Sequence, residues 1–269
     1  MRGAHSARGL ALTALNARQL DILGLASTHG RVLVDDLVER FDVTPQTIRR
    51  DLNVLCEQRR LARIHGGATL AGGAANLGYG ARQSLVQQGK SAIGERVAAA
   101  VPDGASLFIN IGTTTEAVAA ALCDRRGLMV VTNNLNVANI LAAGSDAEVI
   151  VAGGLLRRSD GGLVGEATAD FVRQFKVDIG IIGASAIEPD GSMLDYDYRE
   201  VRVAQAIIDN ARRVFLVADH SKLARGAPVR IGHLSDVDTF FTDAPLAPAL
   251  RQQCVTWDTA VDVSDQQSD

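Results

Sequence analysis

The sequence predicts two domains, a small helical module at the N-terminus and a larger α/β domain after it, and three observations lead to this prediction. The first 70 residues hold short amphipathic helical patterns that lie close together. A stretch rich in Gly and Ala and poor in charge follows. From residue 90 onward, apolar strand patterns alternate with helical ones. Such alternation is typical of a mostly parallel sheet covered by helices.

The first helix has a marked start. Asn16 is followed three residues later by Gln19, a spacing at which each side chain can bond the other residue's backbone N–H group. Leu20 and Leu23 then continue an apolar stripe. Gly30 is a residue that commonly follows the end of a helix, so we expect the helix to close near it.

Two further helical patterns follow at short spacing. Residues 32–41 form a small amphipathic helix by pattern, and Asp42 and Val43 make a tight connection. Thr44 can cap the free N–H groups of the next helix, and Pro45 suits its first position because proline lacks a donor there. The spacing over residues 32–51 predicts a helix-turn-helix.

The second of these helices has an outer face suited to DNA. Ile48, Leu52 and Leu55 recur at steps of four and three residues and form an inward stripe. Polar side chains that can read base edges and bind phosphates remain outside. With the capping Thr44, these candidate DNA contacts are Gln46, Thr47, Arg49, Arg50 and Asn53. An Arg pair alone is more often solvated surface, but the neighbouring helices favour a DNA contact.

A short strand pattern and a glycine turn complete the module. Residues 61–64 alternate like a strand and lead into a turn at His65 and Gly66. There the imidazole of His65 and the exposed backbone of Gly66 can contact a sugar-phosphate chain. The sequence therefore predicts a winged helix-turn-helix domain over residues 15–70, with His65 and Gly66 as further DNA contacts.

The charge distribution supports this division. Residues 1–70 have ten basic and seven acidic residues, which leaves +3. The remainder has 17 basic and 24 acidic residues, which leaves −7 and gives the whole chain its −4. A small basic module on an acidic body suits site-specific DNA binding and disfavours a protein coated in nucleic acid.

Other classes of protein are disfavoured. No apolar run reaches the roughly 20 residues of a membrane span, so no membrane partner is expected. Residues 1–14 have too short an apolar patch for a signal peptide, and we expect a disordered leader there. The spacing of the three cysteines, Cys56, Cys123 and Cys254, is not that of a metal site or a disulfide framework. We therefore expect no cofactor, and we expect the protein to be located in the reducing cytoplasm.

Residues 71–89 are expected to form the linker, residues 90–245 the second domain, and residues 246–269 a C-terminal tail. The second domain is predicted to have six strands and five helices. The predicted strands are 106–110, 128–132, 148–152, 178–183, 213–218 and 239–242. The predicted helices are 91–101, 114–122, 135–142, 165–175 and 198–210.

Three polar or glycine-containing turns follow predicted strands. They are residues 112–115, 132–134 and 152–154. In parallel sheets, ligands bind beyond the carboxyl ends of the strands, so we expect these turns to share one rim. Gly112, Thr113, Thr114 and Thr115 precede a helix whose free N–H groups suit an anion, and this turn is a plausible phosphate cradle. A single turn of this kind can be an ordinary strand-to-helix connection, but three of them on one rim favour a ligand-binding site.

Two other segments can complete this site. Lys222 follows an apolar strand and can reach the same rim as a point charge for phosphate. Asp195 and Glu200 follow a turn and offer carboxylates to substrate hydroxyls. A simpler interpretation has Asp197 and Glu200 stabilise a helix start through its dipole. Asp195 and Lys222 are therefore the stronger candidates.

These motifs together resemble the DeoR family of bacterial transcriptional regulators. The segments that carry the resemblance lie between about Leu15 and Asp243. They are 44–52, 65–68, 111–114, 132–134, 152–154 and 219–222. The resemblance implies a winged domain that binds double-stranded operator DNA as a repressor. It also implies a C-terminal α/β sensor domain of sugar-phosphate-isomerase-like fold that binds a phosphorylated metabolite. The protein is implied to be a dimer or a tetramer.

Within this family, the runs 131–139, 160–168 and 195–198 indicate glycerol 3-phosphate as the implied effector. The resemblance assigns the phosphate to residues 112–115 and Lys222. It assigns the hydroxyl groups to Asn133, Asp195 and Glu200, and the turn at Gly153 completes the candidate effector-binding set.

The sequence departs from the family pattern at three positions. Asn110 stands where the family usually has Asp, Leu33 stands where a polar helix cap is common, and Thr115 adds a hydroxyl donor. Two alternatives remain open: a regulator that responds to another sugar phosphate, and a phosphosugar isomerase-like enzyme with Asp195 or Glu200 as base. The N-terminal module argues against the enzyme.

Overall fold

The computed structural model describes residues 15–29, 31–58, 60–64, 66–70, 79–223 and 225–264. The chain divides into two compact units, one up to residue 75 and one from residue 76. The predicted leader, part of the predicted linker, and His65 lie outside the described residues.

The N-terminal unit contains three helices and a small sheet. Its elements are α1 (Ala17–His29), β1 (Arg31–Leu33), α2 (Val34–Phe41), α3 (Pro45–Glu57), β2 (Leu61–Ile64) and β3 (Gly67–Leu70). The sheet is antiparallel, with β3 between β1 and β2. A core of fully buried side chains joins the three helices, and it includes Ile22, Leu37, Ile48, Leu52 and Leu55.

The predicted caps of α1 and α3 form as expected. The Gln19 N–H donates to Asn16 Oδ1 at 2.9 Å, and the Asn16 N–H donates to Gln19 Oε1 at 3.2 Å. The Thr47 N–H donates to the Thr44 hydroxyl at 3.3 Å, and Pro45 occupies the first turn. Local sequence therefore sets the start of both helices.

The start of α2 differs from its prediction. The sequence pattern places Val32 and Leu33 in a helix, whereas they pair with β3 as a strand. Leu33 provides no side-chain cap, as expected from its apolar side chain. The Val34 N–H instead donates to the Gly66 carbonyl at 2.9 Å, so the wing turn supplies a partner for the first turn of α2.

The wing depends on two glycines. Gly66 has φ +75°, a left-handed conformation that glycine adopts without strain. A Cβ atom on Gly67 would lie 2.0 Å from the Val32 carbonyl oxygen, so only glycine allows β3 to approach β1 this closely. The two glycines therefore allow both the turn and the close packing of β3 against β1.

The C-terminal unit is an α/β domain with a seven-stranded parallel sheet. Its helices are α4 (Tyr79–Ser84), α5 (Gln87–Ala100), α6 (Thr113–Ala121), α7 (Leu135–Gly144), α8 (Glu166–Val172), α9 (Tyr198–Asn210) and α10 (Pro248–Thr256). The strands of the sheet are β4 (Ser106–Ile109), β5 (Met129–Thr132), β6 (Glu148–Val151), β9 (Val177–Ile182), β12 (Ala211–Val217), β14 (Thr239–Thr242) and β15 (Ala260–Val263). Their order is β15-β14-β12-β9-β4-β5-β6, with every neighbouring pair parallel.

Two smaller antiparallel sheets lie in this unit and were not predicted. One pairs β7 (Leu155–Arg157) with β8 (Gly162–Val164), and the other contains β10 (Ala186–Ile187), β11 (Ser192–Asp195) and β13 (Val229–His233). Most of these short strands mix apolar residues with glycine, polar or charged ones, so they lack the apolar runs by which the equally short strands of the main sheet are predicted.

The main sheet buries apolar residues on both faces. Leu107 and Ile109 of β4 belong to a cluster with α5, α6 and α7. Phe108, between them in sequence, belongs to a second cluster with α8, α9 and α10. This alternation follows from the two-residue period of a strand, and it holds the carboxyl ends of the central strands between two packed layers.

Ordered elements of this unit lie on both sides of the predicted range 90–245. Composition predicts a linker through residue 89, whereas α4 and the first residues of α5 are helical there. The predicted tail from residue 246 contains α10 and the edge strand β15, and Cys254 of α10 is fully buried. A short apolar run at a chain end gives little signal on its own, because its burial depends on the rest of the sheet.

Among the described residues, no helix is long and apolar enough to cross a membrane. The same residues contain no cluster of side chains suited to a metal ion. The three cysteines are free thiols.

Candidate functional site

A pocket lies at the carboxyl ends of the three central strands β4, β9 and β12. Its wall includes the turn after β4, the start of α6, residues 183–185 after β9, and Lys222 in a short 3-10 helix after β12. Strands β5 and β6 lie on one side of β4, and β9 and β12 lie on the other. The order of the strands therefore reverses at β4, which is where open α/β sheets bind ligands.

The start of α6 is built to accept an anion. Gly112 precedes the helix with φ +153°, a conformation that favours glycine, and no side chain caps the helix. The first N–H groups of a helix have no partner within it, and the helix dipole places partial positive charge there. Thr113 and Thr114 are buried beside these groups. This end of α6 therefore offers backbone donors to a ligand in the pocket.

The hydroxyl of Thr115 is engaged within the turn itself. Its hydroxyl lies 2.8 Å from the carbonyl oxygens of Asn110 and Gly112. A hydroxyl has one proton, and that proton is donated within the turn. Thr115 is fully buried and holds the shape of the cradle through its side chain, so its hydroxyl is not a free donor for a ligand.

Lys222 supplies a buried cation. Its side chain lines the pocket and is 7% exposed, and its ammonium group has no hydrogen-bond or ion-pair partner among the described residues. Burial lowers the pKa of Lys222 to about 8, although the Asp219 carboxylate opposes this shift. A buried protonated amine that forms no hydrogen bond within the described part of the chain favours an anionic ligand.

Arg82 of α4 adds a second cation that sequence reasoning missed. Its side chain lines the pocket, and its Nη2 atom lies 3.4 Å from Asp160 Oδ2. Its Nε atom is buried and has no hydrogen-bond partner in the described part of the chain. The expectation of a linker through residue 89 hid this residue, because Arg82 has no motif of its own.

The acidic wall consists of Asp195 and Glu200. Asp195 ends β11 and accepts the Tyr196 N–H at 2.6 Å, and Glu200 lies in the first turn of α9. Burial and the nearby Asp195 carboxylate raise the pKa of Glu200 to about 8, against the opposing effect of Arg157. Glu200 is therefore mainly protonated at pH 7, and the wall can both donate and accept hydrogen bonds.

Arg157 contacts three acidic side chains behind this wall. It donates two hydrogen bonds to Asp160, at 2.9 and 2.7 Å, and its Nη2 atom lies 2.6 Å from Glu200 Oε2. The third acidic side chain, that of Asp197, lies 3.3 Å from its Nη1 atom. Asp197 also accepts the Arg199 N–H, so the predicted role of Asp197 at the helix start is confirmed.

The structure brings seven of the nine predicted effector residues together. They are Gly112, Thr113, Thr114, Thr115, Asp195, Glu200 and Lys222. Asn133 and Gly153 do not line this pocket, contrary to the sequence prediction of one shared site. Asn133 instead donates its side-chain N–H to the Leu163 carbonyl at 3.0 Å and fastens β8.

Gly153 follows β6, the edge strand, which is two strands away from β4. Neighbouring strands lie about 4.8 Å apart, so the end of β6 is roughly 10 Å from the end of β4. The Gly153 carbonyl oxygen accepts a hydrogen bond from the Thr168 hydroxyl at 2.8 Å. The three predicted turns do share a rim, but the strand order, which the sequence does not reveal, separates them along it.

In the N-terminal unit, the outer face of α3 is as the helical period predicts. Gln46, Arg49 and Arg50 are exposed, as are Thr44 and Asn53, and Thr47 is half-buried. Arg63 of β2, which sequence reasoning did not select, donates to the Arg49 carbonyl at 3.2 Å and to Asn53 Oδ1. The wing is thereby fastened to α3 on the side of the predicted DNA contacts.

Family comparisons match both units. A sequence model of the DeoR-like helix-turn-helix domain matches residues 18–72, and one of the DeoR C-terminal sensor domain matches residues 86–244. The chain belongs to the DeoR family. The predicted fold class, a winged helix-turn-helix followed by a C-terminal α/β sensor domain, is thereby confirmed, as is the resemblance on which part of it rested.

Two relatives of this DeoR-family protein share about half of its residues. The glycerol-3-phosphate regulon repressor of Escherichia coli is 51% identical over 235 residues, which are 87% of this chain and 93% of that protein. The repressor of the same name from Haemophilus influenzae is 50% identical over 229 residues, 85% of this chain and 89% of that protein. The relatives are named repressors, which supports a regulator and not an enzyme.

Among solved structures, ribose 5 phosphate isomerase A from Neisseria gonorrhoeae has a TM-score of 0.37 and 16% identity over 51% of this chain and 53% of that chain. A likeness at this identity and TM-score does not extend to function.

Proposed function

We propose that this DeoR-family protein represses genes of glycerol 3-phosphate metabolism in the cytoplasm, and that glycerol 3-phosphate releases it from double-stranded operator DNA. The observation that carries this proposal is the buried side chain of Lys222, which lines the pocket together with the uncapped start of α6. A phosphate monoester carries about −1.5 to −2 charges at pH 7, which matches a buried cation and a helix N-terminus.

The opposite wall suits a short polyol. Asp195 accepts hydrogen bonds, and Glu200, whose pKa is about 8, can donate one at neutral pH. Glycerol 3-phosphate has two hydroxyl groups next to its phosphate ester, so it can use both walls at once. The names of the two relatives agree with this choice of effector.

The DNA-binding role rests on α3 and the wing. Arg49 and Arg50 are exposed and form no ion pair in the described part of the chain, so both can reach phosphates or base edges. A helix-turn-helix protein reads paired half-sites about one helical turn apart, roughly 34 Å, when two copies associate. We therefore infer a homo-oligomer, either a dimer or a tetramer.

Calorimetric titration of the full chain with glycerol 3-phosphate tests the pocket. Lys222→Met keeps the length of the side chain and removes its charge. We expect it to weaken binding by about ten- to a hundredfold, which is the effect of a charge-assisted hydrogen bond. Operator binding without effector should be unchanged, because Lys222 lies in the other unit.

Lys176→Met is the matched control, since Lys176 is an exposed lysine of the same unit. It should bind glycerol 3-phosphate like the wild type. Equal dissociation constants for Lys222→Met and the wild type would remove Lys222 from the site. Tighter binding of a different sugar phosphate by the wild type would retain the regulator and replace its effector.

A further inference from the structure

Helix α4 is the first described element after the residues that join the two units, and it contributes directly to the pocket. Arg82 of α4 lines the pocket together with Lys222, Glu200 and the start of α6. The segment through which the sensor unit connects to the DNA-binding unit therefore carries a cation of the effector site.

Several polar contacts join α4 to the rest of the unit. The Tyr79 hydroxyl donates to Glu116 Oε2 at 2.7 Å and accepts an N–H of Asn136 at 3.0 Å. The Arg82 carbonyl oxygen accepts a hydrogen bond from the Lys90 ammonium group. The Thr113 hydroxyl lies 3.5 Å from the same oxygen. No described side chain of α4 belongs to either apolar core cluster. The position of α4 therefore depends on groups in and around the pocket.

Arg82 is held weakly when compared with its neighbours. Among the described residues, its ion pair is with Asp160 at 3.4 Å, and Asp160 already accepts two shorter hydrogen bonds from Arg157. Asp160 would therefore keep a cationic partner if Arg82 moved. The buried Nε atom of Arg82 has no partner among the described residues, so an incoming anion would satisfy a donor that is now unpaired.

We propose that Arg82 binds the phosphate of the effector, and that this contact draws α4 more tightly onto the pocket. Occupancy of the pocket is thereby transmitted to the end of the segment that leads to the DNA-binding unit. The inference rests on the proposed function, since it assumes a phosphorylated effector in this pocket.

The thermodynamic requirement is a difference in affinity. An effector shifts an equilibrium only by as much as its affinities for the two states differ. Arg82 provides such a difference, because the phosphate meets its guanidinium group only when α4 is docked. The coupling is reciprocal, so operator DNA that favours a loosely held α4 must weaken effector binding by the same factor.

Calorimetry and hydrogen exchange of the full chain test this proposal together, with glycerol 3-phosphate as the probe. In the wild type, glycerol 3-phosphate should slow amide exchange in the peptide that spans residues 79–86. Arg82→Met should weaken glycerol 3-phosphate binding by about ten- to a hundredfold and abolish this slowing. Arg82→Lys keeps the charge but loses the planar fork, so it should give a smaller loss.

Arg173→Met is the matched control, because Arg173 is exposed and pairs only locally with Asp170. It should behave like the wild type in both measurements. Thermal unfolding of each variant checks that the sensor unit remains folded, and Arg82→Lys keeps the test valid if Arg82→Met does not fold.

Tyr79→Phe weakens docking without removing the guanidinium group of Arg82. The change removes the hydrogen bonds to Glu116 and Asn136, and Tyr79 itself does not line the pocket. Because effector binding is coupled to docking, we expect faster exchange over residues 79–86 with and without effector, a smaller loss of glycerol 3-phosphate affinity than in Arg82→Met, and reduced release from operator DNA at subsaturating effector.

Two results would overturn the inference. One is unchanged glycerol 3-phosphate affinity in Arg82→Met, and the other is wild-type exchange over residues 79–86 that does not respond to glycerol 3-phosphate. If the wild type is still released from operator DNA by glycerol 3-phosphate, only this inference fails. If the wild type binds neither glycerol 3-phosphate nor another sugar phosphate, the proposed function fails with it.

Discussion

The pocket combines two ionisable groups whose pKa values are shifted toward each other by burial. The pKa of Lys222 falls to about 8 and that of Glu200 rises to about 8. Near neutral pH, Lys222 is therefore mainly a cation and Glu200 mainly a neutral acid. That combination favours a dianion with adjacent hydroxyl groups, since the acid adds no negative charge and can donate a hydrogen bond.

The affinity for glycerol 3-phosphate should fall above pH 8. A bound anion stabilises the charged form of Lys222 and the neutral form of Glu200, so it raises both pKa values. Deprotonation of either group in the empty pocket then opposes binding, by up to about tenfold per pH unit for each group. Below about pH 6 the phosphate itself gains a proton. Calorimetric dissociation constants from pH 5.5 to 9.5 should therefore be lowest between about pH 6 and 8.

Two variants show how much Glu200 and Lys222 each contribute to this pH dependence. Glu200→Gln imitates the neutral acid, so its affinity at pH 7 should lie within about threefold of the wild type while its decline above pH 8 is shallower. Lys222→Met should be weak throughout and lack the lysine contribution to the decline. An affinity that stays constant from pH 7 to 9.5 in the wild type would show that neither group faces the bound anion.

At the scale of single elements, α3 has one face for DNA and one for the protein. Arg50 is exposed on the outer face. Arg50→Ala should weaken operator binding by about 1 to 3 kcal/mol with reduced discrimination if Arg50 reads a base. If it only binds phosphate, all sequences should weaken alike and the salt slope should fall by about 0.9.

Fluorescence anisotropy on operator and random duplexes at several salt concentrations distinguishes the two modes. Arg251→Ala, a change at an exposed arginine of α10 in the other unit, is the control. Operator affinity and salt slope that both match the wild type in Arg50→Ala would exclude Arg50 from the interface.

The inner face of α3 is fastened to α1 through Asp51. This carboxylate is 4% exposed and accepts from Arg18 Nε at 2.7 Å and from Gln19 Nε2 at 2.9 Å. Asp51→Ala leaves the largely buried Gln19 amide without this acceptor, so we expect a loss of about 1 to 3 kcal/mol in the free energy of unfolding of the N-terminal unit. Asp21→Ala, at an exposed position in α1, is the control.

Urea unfolding followed by circular dichroism measures this loss. Equal midpoints for Asp51→Ala and the wild type would mean that the buried network does not stabilise the unit. The sequence pattern gave no reason to select Asp51, because the helical period alone cannot say which polar side chain on the flank of a helix meets a neighbouring helix.

The same limit explains which elements sequence reasoning located. Helices with caps, such as α3 at Thr44, and strands with long apolar runs, such as β12, are predicted within a few residues. The helix α9, predicted as Tyr198–Asn210, has those bounds in the structure. Helix α4 and strand β15 owe their order to contacts with distant parts of the chain, and local patterns do not report such contacts.

At the scale of the whole molecule, the candidate site depends on strand order. Lys222, Glu200 and the turn at Gly112 lie far apart in sequence and meet because β4, β9 and β12 are neighbours in the sheet. Their chemistry was predictable from residue type and position after strands. The fold was needed to show that Arg82 lines this pocket and that Asn133 and Gly153 do not.

We expect an anion in this pocket to change the affinity of the protein for operator DNA. For this to happen, the DNA-free protein must bind the effector more tightly than the DNA-bound protein does.

The most direct measurement is fluorescence anisotropy of the full chain on a labelled duplex from the upstream region of its own gene, with excess random DNA, during a titration with glycerol 3-phosphate. We expect specific binding that is lost as glycerol 3-phosphate is added, with glycerol at the same concentration having no effect and Lys222→Met requiring at least tenfold more effector. Specific binding that glycerol 3-phosphate and other sugar phosphates leave unchanged would contradict it.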